Sequence, residues 1–202
     1  MNKKCVTVLG ILAVSSIIVG KYYYPQYQKY IPTSASEVVF PPPLSDAEIS
    51  HIRTYQPITK IQVFKAKRLI HLIHQNEKIR SYPMRLGFNP LGHKQQEGDG
   101  KTPEGRYVID WRNPNSAFYK SLHISYPNIQ DTAKAQKLGV SAGSNVMIHG
   151  SNYKVLSKLP FMMKYLPRND WTLGCIAVRN VDIDIDEIWT LIDNGTMIEI
   201  YP

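Results

Sequence analysis

The stretch from Thr59 to Gly87, TKIQVFKAKRLIHLIHQNEKIRSYPMRLG, constrains the fold most. Its apolar residues tend to recur at every second position, and polar clusters at KAK and QNEK interrupt them. Period-two patterning sends alternate side chains to opposite faces of a strand. Short polar breaks between such runs mark hairpins. The segment predicts strand, hairpin, strand, hairpin, strand, which commits the chain to antiparallel sheet.

Further runs extend the pattern. GRYVIDWR and KSLHISY predict two more strands, NVMIHG a buried strand ending at His149, and TMIEIYP a closing strand. Helices are few. SDAEISHIRTY predicts a short helix capped by Ser45 or Asp46. NIQDTAKAQKLG predicts a helix begun by Asn128 and stopped by Gly139. VDIDIDEIWTLIDNG predicts a helix whose acidic first turn suits the helix dipole. Asp182, Asp184 and Asp186 lack the glycine and terminal glutamate of a calcium loop and read as that acidic helix start. Prolines leave LSKLPFMMKYLP ambiguous. The class is mainly β with a few helices, α+β.

The N-terminus carries a different signal. Lys3 and Lys4 precede an uncharged run from Cys5 to Gly20. A basic start before such a run is an export signal, and residues 1–20 read as a signal anchor or signal peptide. The flanking lysines orient the N-terminus toward the cytoplasm, which places the rest of the chain outside it, next to the inner membrane. Residues 21–59 contain YYYP, IPTSAS and PPPLSD and read as a Pro-rich stalk. Residues 60–201 form the folded domain.

Export sharpens the meaning of the cysteines. The chain has two, Cys5 and Cys175. Only Cys175 lies in the exported part, where disulfides are expected in pairs. A leftover thiol there is an intermolecular link or a reactive group. A reactive thiol needs a base, and the chain has six histidines. His51 falls in the stalk, His71 and His74 on a hairpin strand, His93 in a loop and His123 inside a strand. His149 ends a buried strand beside Gly150, so it can project into a cleft. The competing readings are an inert buried thiol and a structural histidine. Gly174 and the NDWT turn let backbone N–H groups point at a reacting carbonyl, as in an oxyanion hole. One usable cysteine and scattered histidines make no metal-ligand set, and no cofactor is expected.

At MIHGSN and DWTLGCIAVRN, with GDGKTPEGRYVI upstream, the sequence resembles the L,D-transpeptidase catalytic domain of the YkuD type. The carrying residues are His149-Gly150, then Thr172-Leu173-Gly174-Cys175; a long insert between His149 and Thr172, and GCIAV followed by Asn180 and an acidic helix, resemble the YafK-like branch. Two positions depart from the family: Leu173, where histidine is frequent, and Ala177, where many members have arginine. The resemblance implies a β-sandwich catalytic domain and a cysteine transpeptidase. It implies Cys175 as nucleophile, His149 as general base, and the Gly174 and Cys175 amides as oxyanion hole. The carbonyl of Gly150 or Ser151 is the expected orienting group for His149, with Asp170 a weaker choice. Thr172 and Arg179 are further site candidates. The implied substrate is a peptidoglycan stem peptide: D-alanine leaves, a thioester forms, and an amine on a second stem or on a wall-attached protein resolves it. A thiol amidase of the same fold and a silent wall-binding module remain as alternatives.

Charge fits an anionic partner. The formal net charge is +8, and setting Lys3 and Lys4 aside leaves +6 for the exported part. No nucleic-acid motif is present, so nucleic acid is not an expected partner. Lys94 and Arg112 read as solvated loop charges before stem-carboxylate ligands. Tyr126 and Trp171 read as core before cleft, and Trp189, at apolar spacing in the last helix, as core. Residues 151–169 are the natural lid candidate.

Overall fold

The structure is a computed structural model that describes residues 40–150, 169–179 and 183–202. The predicted hairpins form as β1 (Lys60–Phe64), β2 (Leu69–His74) and β3 (Glu77–Pro83). They pair antiparallel, Ile61 opposite Leu72 and Ile70 opposite Tyr82. Alternation along β1 buries Ile61 and Val63 and turns Lys60, Gln62 and Phe64 outward. The later strands are β4 (Gly105–Ser116), β5 (Tyr119–Ile124), β6 (Met147–His149), β7 (Ile176–Ala177) and β8 (Met197–Tyr201).

All eight join one mixed sheet in the order β3-β2-β1-β8-β4-β5-β6-β7. The expected sandwich is thus built from one continuous sheet. β4, twelve residues long, joins its halves, pairing with β8 at its start and β5 further on. Its register with β5 shifts twice, and such bulges bend a strand. Ile61, Leu72 and Ile198 from one half share a core with Leu122, Ile148 and Ile176 from the other.

Three helices lie among the described residues: α1 (Asp46–Tyr55), α2 (Ile129–Lys137) and α3 (Asp184–Leu191). Ser45 caps α1 and Asn128 caps α2, each in a reciprocal capping box. α3 is built differently from expectation. Asp184 is buried against Arg179, and Asp186 meets Lys120, so its first turn is clamped by cations and is not an open acidic face. Arg112 is not a solvated loop charge either: it donates to the Trp189 carbonyl at 3.0 Å, closing the C-terminal end of α3. Trp189 packs against the core, and Tyr126 is buried with its hydroxyl on the Ala142 carbonyl.

The stalk reading is corrected at its C-terminal end. Leu44, Ile49 and Ile58 pack against the core, and Ile52 of α1 is part of it. The Leu44 amide donates to Glu187 at 2.7 Å, and Arg53 reaches the Thr190 carbonyl. The sequence hid this because α1 offers few apolar residues to bury. The signal segment and the first part of the stalk lie outside the described residues. No described helix is long and apolar enough to cross a membrane.

Glu187 is the acceptor at the centre of this packing. It takes bonds from Arg80 at 2.9 Å, Tyr82 at 2.8 Å and the Leu44 amide. Removing it strands three donors in a buried place. Glu187→Ala should cost about 3–5 kcal/mol, read as a lower midpoint in urea unfolding.

Candidate active site

β6 and β7 are short, parallel and adjacent, with Ile148 opposite Ile176 and His149 opposite Ala177. Cys175 directly precedes β7. Its sulfur meets the Met147 amide at 3.4 Å and the Asn145 carbonyl at 3.5 Å. Met147 and His149 lie two apart on β6 and therefore share a face. The register sets Cys175 level with Met147, so the sheet brings Cys175 and His149, 26 positions apart in sequence, onto neighbouring chains two residues apart along the strand direction.

His149 is buried and boxed by rings. Phe118 stacks on it with centroids 4.4 Å apart, and Trp171 meets it edge-on at 5.8 Å. Its Nδ1 contacts the Gly150 carbonyl. A carbonyl can only accept, so Nδ1 carries the proton and Nε2 keeps its lone pair. Burial lowers the imidazole pKa to about 4, and the Gly150 bond opposes this weakly. The ring is neutral at physiological pH. Burial also pushes the Cys175 thiol above its ordinary value, while the Met147 amide and the Lys94 ammonium pull it back. The resting pair is therefore thiol and neutral imidazole, not thiolate and imidazolium.

The turn before Cys175 is locked from within. The Thr172 hydroxyl donates to the Cys175 carbonyl at 2.7 Å and accepts from the Gly174 amide at 3.1 Å. The Gly174 amide is thus engaged, which corrects its expected part as an open oxyanion donor. Thr172 holds the turn's shape. Gly174 has φ +134°, and a Cβ there would lie 2.6 Å from the Lys101 carbonyl oxygen. Only glycine suits such a position. Leu173 is 75% exposed, so the side chain at that departure from the family points to solvent.

Other candidates fall elsewhere. Asp170 takes Arg68 at 2.6 Å and the Leu86 amide at 2.9 Å, so it pins the turn to residues 85–88 and does not orient His149. Arg179 turns away to Asp184. Gly150 is the group seen on His149; Ser151 lies outside the described residues, as do Asp182 and the lid candidate up to residue 168. Among the described residues no three His, Cys, Asp or Glu side chains gather to hold a metal.

Lys94 overturns its reading as a solvated charge. It is 4% exposed and bonded to Asp99 at 2.9 Å and to the Gln96 carbonyl at 3.0 Å. Its Nζ lies 3.8 Å from where a Gly174 Cβ would sit. Asp99 also gathers the Gln95, Gln96 and Lys101 amides, which folds the polar loop back onto the turn before Cys175. Trp171, read first as core, is a wall of the His149 box. Phe118 was missed altogether. Its signal, an aromatic in the tight turn between β4 and β5, is too common to single out. Arg85 was also missed: it exchanges both backbone bonds with Ala177, at 2.8 Å each, and its buried guanidinium donates to the Met84 carbonyl.

The structure thus sets a thiol just before β7 and an imidazole at the end of the neighbouring β6, with a glycine turn leading into the thiol. Residues 58–200 match the L,D-transpeptidase catalytic domain family, YkuD, and the chain belongs to that family. It is 32% identical over 131 residues to the L,D-transpeptidase-named YafK of Escherichia coli K12, covering 61% of this chain and 44% of YafK. The chain thus spans under half the length of that relative. Its fold is similar to that of the helical cell shape determining protein Pgp2 from Campylobacter jejuni, with TM-score 0.52, 20% identity, and coverage of 77% of this chain and 54% of Pgp2. A point variant of Pgp2 gives TM-score 0.54 at 21% identity.

The two shifts fix the pH response. His149 is unprotonated above about pH 4, and the thiol ionises only above its usual value near 9. Iodoacetamide labelling of Cys175 should rise with pH and show no plateau below pH 9. Lys94→Met should move the curve further alkaline, since it removes the cation that favours thiolate. A plateau near neutrality would mean a resting ion pair.

Proposed function

We propose that the chain is a peptidoglycan L,D-transpeptidase that works through a Cys175 thioester. The observation that carries this is the tautomer of His149: with Nδ1 on the Gly150 carbonyl, Nε2 is left as a base on the strand beside Cys175. Nε2 takes the sulfhydryl proton as sulfur attacks the carbonyl before a terminal D-alanine. The C–S bond forms, the C–N bond breaks, and the imidazolium returns its proton to the departing D-alanine amine. An acceptor amine then attacks the thioester, forms a new amide and restores the thiol. The Cys175 amide is the remaining turn donor for the oxyanion, because Thr172 holds the amide of Gly174.

The setting of this chemistry is part of the proposal. The domain works outside the cytoplasm, held at the inner membrane by residues 1–20. Its net charge of +6 beyond the anchor draws in stem carboxylates. Acceptors are a diamino-acid side chain of a second stem or an amine of a wall-attached protein.

The test incubates the chain, and Cys175→Ala beside it, with tetrapeptide-rich peptidoglycan, and reads products by mass spectrometry. New dimers joined between two diamino acids, absent with Cys175→Ala, are the expected result. Cleavage of existing links without new dimers would replace the transferase with a thiol amidase. No Cys175-dependent product of either kind would leave a silent wall-binding module.

A further inference from the structure

β7 is two residues long, so its position depends on what holds its ends. At its start the Thr172 hydroxyl closes the turn. At its far end the Val178 amide donates to the His149 carbonyl at 2.9 Å. The next residue is Arg179. Its guanidinium makes a two-point bond to Asp184, at 2.9 and 2.6 Å, and both partners are buried. It also donates to the Pro41 carbonyl at 3.1 Å. The Phe40 ring lies under it, 4.3 Å from the guanidinium carbon.

Phe40 and Pro41 come from the segment that leads into the domain, before the first residue of the family match at 58. That segment is clamped a second time three residues on, where the Leu44 amide meets Glu187. Asp184 and Glu187 are both on α3, one turn apart. The segment therefore closes over α3 and Arg179 like a strap fixed at two points.

We infer that Phe40 and Pro41 are positioning residues for catalysis, acting through Arg179 to hold β7 in register with His149. This rests on Cys175 and His149 being the reacting pair. A guanidinium is planar and stacks well on a ring. With ring and carbonyl in place, Arg179 has one orientation, and Val178 stays bonded to His149. Without the ring, one face of the guanidinium opens to solvent and the end of β7 gains freedom. The thiol then spends less time in reach of Nε2, while the surface that binds substrate is unchanged.

The experiment uses the full chain with Phe40→Ala and Phe40→Tyr. Hydrogen exchange is followed in the peptide holding Val178 and in the β1–β2 hairpin, and kcat and KM are measured on tetrapeptide stems. Phe40→Ala should speed exchange at Val178 by about three- to tenfold, the size of a lost cation–ring contact, with the hairpin unchanged. The same variant should lower kcat with KM unmoved. Phe40→Tyr keeps a ring and should restore both. Unchanged exchange at Val178, or equal acceleration everywhere, would overturn the inference. Local loosening at Val178 in a chain that is inactive even without substitution would uphold the strap and refute the catalytic reading instead.

Discussion

The backbone bond from the Val178 amide to the His149 carbonyl extends the pairing of two short strands, one ending at the imidazole and the other starting just after the thiol. Neither strand is long enough to define its own position. β6 borrows its place from β5, and β7 from β6 on one side and from Arg85 on the other. The rest of the domain serves this pairing. The eight-stranded sheet supplies a rigid floor, the Asp170 carboxylate pins the turn to the Leu86 amide, and Thr172 fixes the carbonyl of Cys175. Sites carried on strands hold their geometry better than sites carried on loops.

Burial then sets the chemistry. Phe118 and Trp171 shield His149 from water, and burial keeps its imidazole neutral down to about pH 4. A neutral base beside a neutral thiol keeps little thiolate at rest. Little thiolate also limits oxidation, since the thiolate is the species that oxidants attack. Lys94 works the other way. Its buried ammonium, held by Asp99, keeps the thiol from rising further.

Much of this architecture is legible in the sequence because periodicity and capping are local. The alternation of Ile61, Val63, Ile70 and Leu72 gives the hairpins, and Ser45 and Asn128 give the helix starts. Cys175 and His149 stand out by elimination and by motif. What the sequence conceals is long-range pairing. Arg179 reads as a cation near the cleft, yet Asp184 takes it. Lys94 reads as solvated, yet the Asp99 loop folds it inward. Phe40 and Leu44 read as linker, because nothing in a proline-rich segment announces Arg179 or Glu187 as its partner. Charged residues reveal their partners only once the chain is folded, whereas apolar periodicity reveals a face in advance.

The proposed thioester puts the acyl group on Cys175. The most direct measurement is the intact mass of the protein, quenched in acid during turnover of a stem tetrapeptide with no acceptor amine added. The expected result is an adduct equal to the tetrapeptide less D-alanine, mapped to Cys175 and removed by hydroxylamine. Release of D-alanine with no adduct on Cys175 at any time would contradict it.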